Sequence, residues 1–123
     1  MSENPLRVLV IDAEYLVALD AEQILVDALA CHVTIATPRM GNAILQKQDF
    51  DVILLDTGYT EAAFAARLRE VRRAKCALVF STFSSAYRSG VPGLQQVPVV
   101  SKPFEDRQLI AAIRSAVNPF LRT

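Results

Sequence analysis

Short runs of apolar residues recur along the chain and predict the strands of a buried sheet. Three runs are continuous rather than alternating: Leu6 to Ile11, Val52 to Leu55 and Ala77 to Phe80. Continuous apolar runs are typical of parallel strands that are covered on both faces. Two weaker strand candidates are "HVTIA" at 32–36 and "VPVV" at 97–100, where Pro98 is compatible only with the start of a strand or with an edge. The pattern therefore predicts five strands.

Between these runs, apolar residues recur with the period of an α-helix. Four helices are predicted: Tyr15 to Leu29, Pro38 to Lys47, Glu61 to Arg73 and Asp106 to Val117. We expect each helix to bury one apolar face. In chain order, the expected inward residues are Leu16, Leu19, Ile24, Leu25, Ala28, Leu29, Met40, Ala43, Ile44, Phe64, Leu68, Val71, Leu109, Ile110, Ile113 and Val117. The last helix is expected to end before Asn118 and Pro119.

Strand and helix alternate through the whole chain, which is the order that produces parallel strands joined by right-handed crossovers. The sequence therefore predicts an α/β fold with a doubly wound, five-stranded parallel sheet, in one domain that spans residues 1–123. One segment, 83–96, contains two glycines and a proline where a further helix would cross. Any helix there must be short, about Ser85 to Arg88, and the remainder is an irregular loop of the kind that is often functional.

Charge and composition exclude several function classes. Lysine plus arginine and aspartate plus glutamate number 13 each, so no net field attracts nucleic acid or an anionic membrane. Arg67, Arg69, Arg72, Arg73 and Lys75 do cluster on one predicted helix and its exit, but a solvated helix face is the simpler interpretation. The two cysteines lack the spacing of a zinc site, and the first apolar run is too short for a signal peptide or a membrane span. We therefore expect a cytoplasmic protein without nucleic-acid or membrane partners.

Residues that carry chemistry follow four of the predicted strands: Asp12 the first, Asp56 the third, Ser81 and Thr82 the fourth, and Lys102 the fifth. The carboxyl ends of parallel strands meet at one edge of the sheet, where doubly wound proteins bind ligands. An aspartate there can attack phosphorus and form an acyl phosphate, provided that other groups neutralise the transferring oxygens. A magnesium ion held by one or two carboxylates, a hydroxyl and a lysine would do this.

In this order and spacing, these residues resemble the receiver domain of two-component response regulators over residues 6–117. "DVILLD" resembles the phosphoacceptor strand, "VFST" the strand with the hydroxyl residue, and "SKPF" the lysine motif, in which a cis bond usually precedes the proline. The resemblance implies a flavodoxin-like (βα)5 fold with strand order 2-1-3-4-5. It also implies a phosphoacceptor at Asp56, catalytic partners at Thr82 and Lys102, and magnesium ligands at Asp12, Asp56 and the Gly58 carbonyl. A slip of one residue would put Ser81 in the place of Thr82.

"EYLVALD", "ALVFSTFSS" and "VPVVSKPF" look most like the stand-alone, single-domain receivers of alphaproteobacteria. That resemblance implies that a histidine kinase or a phosphotransfer protein supplies the phosphoryl group. It implies a signalling protein rather than an enzyme. The output to a downstream protein would pass through the surface formed by the last strand, the segment before it and the last helix.

Two positions depart from the pattern of the family. Receivers carry two adjacent acids after the first strand, and alignment on Glu14 puts Asp12 at the first acid and Ala13 at the second, which is normally the direct metal ligand. Val99 stands where most receivers carry a tyrosine or phenylalanine that swings inward on phosphorylation. A magnesium site without an acid at Ala13 is expected to bind weakly.

Two functions are therefore compatible with the sequence. The first is a phosphorelay receiver that is phosphorylated on Asp56 and signals by protein contact. The second is a pseudo-receiver, a binding module that is not phosphorylated because its metal site lacks the acid at Ala13. Under the simplest alternative, Asp56 is a surface carboxylate that ends a strand and Lys102 is a solvated lysine before a proline.

Overall fold

The computed structural model describes the backbone of residues 4–121 and the side chains of residues 4–118, so residues 1–3, 122 and 123 lie outside it. The strands are β1 (Leu6–Ile11), β2 (Cys31–Ala36), β3 (Val52–Asp56), β4 (Ala77–Thr82) and β5 (Val99–Ser101). The helices are α1 (Tyr15–Ala28), α2 (Pro38–Lys47), α3 (Glu61–Arg72) and α4 (Asp106–Leu121). All strands are parallel, in the order β2-β1-β3-β4-β5. The predicted α/β fold and strand order are confirmed.

Alternate residues of the central strands face two different helix layers. Val8 and Val10 of β1 pack with α1 and α4, whereas Leu9 and Ile11 pack with α2 and α3. Every residue of β3 is buried, as expected of a parallel strand that is covered on both faces. Because helices cover both faces, the carboxyl ends of the strands are the place where polar side chains can gather.

Helix α1 is rotated from its predicted orientation. The prediction that Leu16 and Ala28 face the core is wrong, because Leu16 is 79% exposed and Ala28 is also exposed. The buried residues of this helix are Ala18, Ala21, Ile24 and Leu25. Two small alanines therefore form part of the face that packs on the sheet, while the longer side chains of the first turn, Tyr15 and Leu16, are exposed.

Helix α2 packs through a glycine. Met40 is 54% exposed and Ala43 is exposed, so the prediction that they face inward is wrong. Gly41 is buried instead, and a Cβ at this position would lie 2.9 Å from Ile11 Cδ1. Real Cβ atoms essentially never approach this closely. The helix therefore reaches its position over β1 because residue 41 has no side chain.

The segment 83–96 is a packed loop, and the predicted short helix is present as one 3-10 turn, Ser85–Tyr87. The centroid of the Tyr87 ring lies 5.9 Å from that of Phe64 on α3. The Phe64 centroid lies 5.1 Å from that of Phe80 on β4. Val91 is buried at 6% exposure. The loop is therefore anchored to the core at two points, although it contains no α-helix.

Helix α4 continues to Leu121, so the prediction that it ends before Asn118 is wrong. Pro119 has no N–H to donate, and near a helix end this removes one intrahelical hydrogen bond without stopping the last turn. Within the described part of the chain, none of the helices combines the length and the apolar character needed to cross a bilayer.

Candidate functional site

The fold brings together the side chains that the sequence analysis selected from four strand ends. Asp12 directly follows β1, Asp56 ends β3, Thr82 ends β4 and Lys102 directly follows β5. The backbone N–H of Lys102 donates to the backbone carbonyl of Thr82 at 2.8 Å, which continues the pairing of β4 with β5. None of these four residues is more than 7% exposed. Such burial requires each charged or polar group to find a partner inside the protein.

Lys102 joins the two aspartates. Its Nζ donates to Asp12 Oδ2 at 3.0 Å and to Asp56 Oδ1 at 2.9 Å. The lysine side chain is 2% exposed. Its ammonium also lies 4.7 Å from the centroid of the Phe83 ring, which is a cation–π contact. A buried ammonium between two carboxylates offsets their mutual repulsion and fixes their positions.

The two carboxyl groups have pKa values shifted in opposite directions. Burial raises the pKa of Asp12, and this effect exceeds the opposing hydrogen bond from the Glu14 N–H. Burial is also the largest single influence on Asp56, but the hydrogen bonds from Lys102 and Gly58 and the charges of Lys102 and Arg67 together outweigh it, so the pKa of Asp56 is lowered. Asp56 is therefore the carboxyl group that is held more firmly in its ionised, nucleophilic form.

Arg67 is part of the site, and its assignment to a solvated basic face is wrong. Its Nη1 donates to the Asp56 carbonyl oxygen at 2.9 Å and to Asp56 Oδ2 at 3.0 Å. The arginine side chain is 15% exposed. The spacing of Arg67 from buried residues of α3 predicts that its side chain faces the core. Residue 67 lies three residues after Phe64 and four before Val71, the two buried residues of α3, so all three share one helix face.

Gly58 makes room for the guanidinium. Its φ is +75°, and a Cβ built on it would lie 3.0 Å from Arg67 Nη1 and 3.2 Å from Arg67 Cζ. Its N–H donates to Asp56 Oδ1 at 3.0 Å. The glycine thus permits the tight turn after β3 and leaves a face against which the arginine lies.

Hydroxyl groups form the other side of the site. Thr57 donates its hydroxyl to Thr82 Oγ1 at 2.9 Å, and the Ser84 N–H donates to the same oxygen at 3.0 Å. Because Thr82 Oγ1 accepts both bonds, its own O–H remains available as a donor. The neighbouring Ser81 is buried and points to the opposite face of β4, so Thr82 is the residue that belongs to this network. Sequence reasoning did not select Thr57.

The expected magnesium ligands do not fit the ion in this arrangement. All four carboxylate oxygens of Asp12 and Asp56 already accept from N–H groups: Glu14 N and Lys102 Nζ on Asp12, and Gly58 N, Lys102 Nζ and Arg67 Nη1 on Asp56. Only Asp56 Oδ1 accepts two N–H groups, and the other three oxygens each keep a lone pair. A magnesium ion bound there would lie close to the Lys102 ammonium and the Arg67 guanidinium, whose positive charges repel it. Among the described residues, no cluster of three or more His, Cys, Asp or Glu is placed to hold a metal ion.

Ala13 lies on the open side of the site. It is exposed, and it borders with Arg67 a shallow cavity of about 720 Å³. A second cavity, of about 560 Å³, opens beside Asp56 between the loop after β3 and the segment after β4. Tyr59, Phe83 and Tyr87 form part of its wall. This second cavity connects an otherwise buried carboxylate to solvent.

The chain matches no protein-family model and no curated protein, but it resembles many solved structures. A response regulator from Thermotoga maritima superposes with a TM-score of 0.77 at 16% identity, over 93% of this chain and 98% of that one. The signal receiver domain of an HD domain-containing protein from Pseudomonas fluorescens Pf-5 gives 0.74 at 15% identity, over 98% and 100%. This chain has the receiver fold.

A third solved structure, the chemotaxis protein CheY4 of Vibrio cholerae, superposes on this chain with a TM-score of 0.73 at 22% identity, over 92% of this chain and 99% of that one. At such identities the comparisons establish the fold alone. Within this receiver fold, the Lys102–Pro103 bond is cis, as the resemblance implied. Val99 is half-buried at the start of β5, in the place where an aromatic residue was expected from the family.

Proposed function

We propose that this protein is a signal receiver of a phosphorelay and that it accepts a phosphoryl group on Asp56. The observation that carries the proposal is the buried Lys102 ammonium, which lies 3.0 Å from Asp12 Oδ2 and 2.9 Å from Asp56 Oδ1 at the carboxyl edge of the sheet. An ionised carboxylate beside a fixed cation is suited to attack phosphorus. The receiver fold supports the same conclusion.

In the proposed reaction, one carboxylate oxygen of Asp56 attacks the phosphorus of a phosphohistidine on a histidine kinase or phosphotransfer protein. The new O–P bond forms while the P–N bond breaks, and the imidazole nitrogen keeps the electron pair. The Lys102 ammonium neutralises charge on the phosphoryl oxygens, and the Thr82 hydroxyl supplies a hydrogen bond to one of them. The cavity beside Asp56 gives the donor access to the carboxylate.

The proposed output surface is the segment 83–96 together with β5 and α4. Two of its first residues contact the site directly: Phe83 lies against the Lys102 ammonium, and the Ser84 N–H donates to Thr82 Oγ1. A phosphoryl group would compete for both Lys102 and Thr82. Phosphorylation is therefore expected to release or reposition this segment for a downstream protein, without an aromatic residue at Val99.

The proposal is tested by incubating the protein with acetyl phosphate, with and without magnesium, and measuring its intact mass. The wild type is expected to gain the mass of one phosphoryl group, because the carboxylate attacks phosphorus and acetate leaves with the electron pair. Asp56→Asn is expected to gain none, whereas Asp49→Asn, at an exposed carboxylate, should label like the wild type. A label that persists in Asp56→Asn would disprove the assignment of the acceptor.

The second candidate function is the pseudo-receiver. The observation in its favour is that N–H donors already occupy all four carboxylate oxygens of Asp12 and Asp56. In that case, the receiver fold would bind a partner through the segment 83–96 in a fixed state. Absence of label with acetyl phosphate, and also with a phosphorylated phosphotransfer protein, would favour this function.

A further inference from the structure

The site contains a second cation that belongs to the protein. Asp12 and Asp56 carry two negative charges, and the paired side chains of Lys102 and Arg67 carry two positive charges. With an acid at position 13 and no arginine, the same site would have an excess of two negative charges. Such an excess attracts a divalent cation, whereas the balanced set in this protein does not.

We infer that the Arg67 guanidinium takes the place of the divalent cation, so that the site operates without a metal. For its phosphoryl-transfer part, this inference rests on the function proposed above. The guanidinium contacts Asp56 through both the carbonyl oxygen and Oδ2, at 2.9 and 3.0 Å. A metal ion in a receiver would bind that carboxylate, and the arginine satisfies it instead.

The geometry also leaves the arginine able to bind a phosphoryl group. Nη1 makes both contacts with Asp56, while a guanidinium carries five N–H donors in a planar fork that matches phosphate oxygens. A guanidinium supplies its positive charge without binding an ion, so no metal concentration has to be reached. The side chain is largely buried, which strengthens its interaction with Asp56 relative to that of a surface pair.

Three positions accommodate this arrangement together. Arg67 lies on the inward face of α3, Gly58 has no Cβ that would meet the guanidinium, and Ala13 borders the same cavity as Arg67 without adding a charge. The absence of an acid at Ala13 and the inward arginine are therefore compatible in charge and in space. A neutral, small residue at 13 leaves the guanidinium free to pair with Asp56.

The first test measures metal binding without any phosphoryl transfer. Mn²⁺ is titrated into the wild type, Arg67→Met, the double variant Ala13→Asp/Arg67→Met, and the control Arg69→Met, whose arginine is exposed on the same helix. Free Mn²⁺ is followed by electron paramagnetic resonance. The double variant is expected to bind Mn²⁺ at least about tenfold more tightly than the wild type, and the control should match the wild type. Equal affinity of the wild type and the double variant would overturn the inference.

The second test repeats the acetyl phosphate labelling in EDTA and in magnesium. The wild type is expected to label at rates that agree within about twofold, whereas Arg67→Met should lose at least about tenfold in EDTA. Arg67→Lys should keep part of the labelling rate in EDTA, because lysine keeps the positive charge but lacks the planar set of N–H donors.

Wild-type labelling that requires magnesium would overturn the inference. If no protein labels in either buffer, the proposed function fails, and the Mn²⁺ titration alone decides the inference. Far-UV circular dichroism of each variant checks that the fold is retained.

Discussion

Replacement of Lys102 by methionine tests whether the charges of the site are as interdependent as their distances indicate. Methionine keeps most of the buried aliphatic volume but removes the ammonium that lies 3.0 Å from Asp12 Oδ2 and 2.9 Å from Asp56 Oδ1. Asp56 would keep its contacts with Arg67 and the Gly58 N–H, and Asp12 would keep the Glu14 N–H. The cost should therefore fall mainly on Asp12.

The magnitude follows from the burial of the pair. Removing one partner of a buried ion pair costs about 3–5 kcal/mol, and we expect the lower part of this range at pH 7 because Asp12 can relieve its charge by protonation. Its pKa is already raised by burial in the wild type. A carboxyl group whose pKa is higher in the folded than in the unfolded state stabilises the fold at low pH, and this contribution is lost as the pH rises through the folded-state pKa. For a carboxyl group that is protonated in the folded state and ionised in the unfolded state, each pH unit changes the free energy of unfolding by about 1.4 kcal/mol. The loss of stability caused by Lys102→Met should therefore shrink by up to about 2.7 kcal/mol between pH 7 and pH 5.

The assay is urea unfolding of the wild type and Lys102→Met, monitored by far-UV circular dichroism at pH 7 and pH 5. The matched control is Asp12→Asn/Lys102→Met, which removes the unpaired charge and should recover most of the stability at pH 7 with little pH dependence. A loss for Lys102→Met below about 1 kcal/mol at pH 7, or an equal loss at both pH values, would refute the reasoning, because a solvated charge pair contributes little to stability.

Two further predictions concern packing and output. Gly41→Ala should lower the free energy of unfolding by about 0–2 kcal/mol, because the new Cβ would meet Ile11 Cδ1 at 2.9 Å at a cost of about 1–3 kcal/mol, while alanine gains about 1 kcal/mol in helix propensity. Ile11→Val removes that atom, so a urea double-mutant cycle should show coupling between the two changes, and strictly additive effects would contradict this contact. Amide hydrogen exchange in 83–96 should become faster after phosphorylation, with the amides of α2 as an unchanged internal reference. Equal exchange before and after would argue against this segment as the output surface.

The sheet could be predicted from the sequence because buried parallel strands leave continuous apolar runs, as at Leu6–Ile11 and Val52–Asp56. The rotation of α1 could not. Aliphatic residues occur around most of that helix, so several faces satisfy the helical period equally well. The face that packs on the sheet is the one with Ala18 and Ala21. Similarly, Gly41 faces the core because of where Ile11 lies, and the spacing of residues in the sequence does not predict that contact.

The site was predictable where it depends on strand ends and was missed where it depends on helix orientation. Asp12, Asp56, Thr82 and Lys102 could be selected because they follow or end strands that meet at one edge. Arg67 was assigned to solvent on account of its charge, although its spacing from Phe64 and Val71 indicates the inward face. Their roles in phosphoryl transfer stay predictions until the labelling experiment is done.

The order of the site residues along the chain also affects how the protein folds during synthesis. Lys102 is 90 residues from Asp12 and 46 from Asp56, whereas Arg67 is 11 residues from Asp56. A ribosome therefore releases both acids well before the lysine that pairs with them, and α3 supplies the first counter-ion to Asp56. Closing a long loop is slow relative to local pairing. We therefore expect the short β5 and Lys102 to complete this edge late in folding, and chains that lack them to have an incompletely neutralised pair of acids.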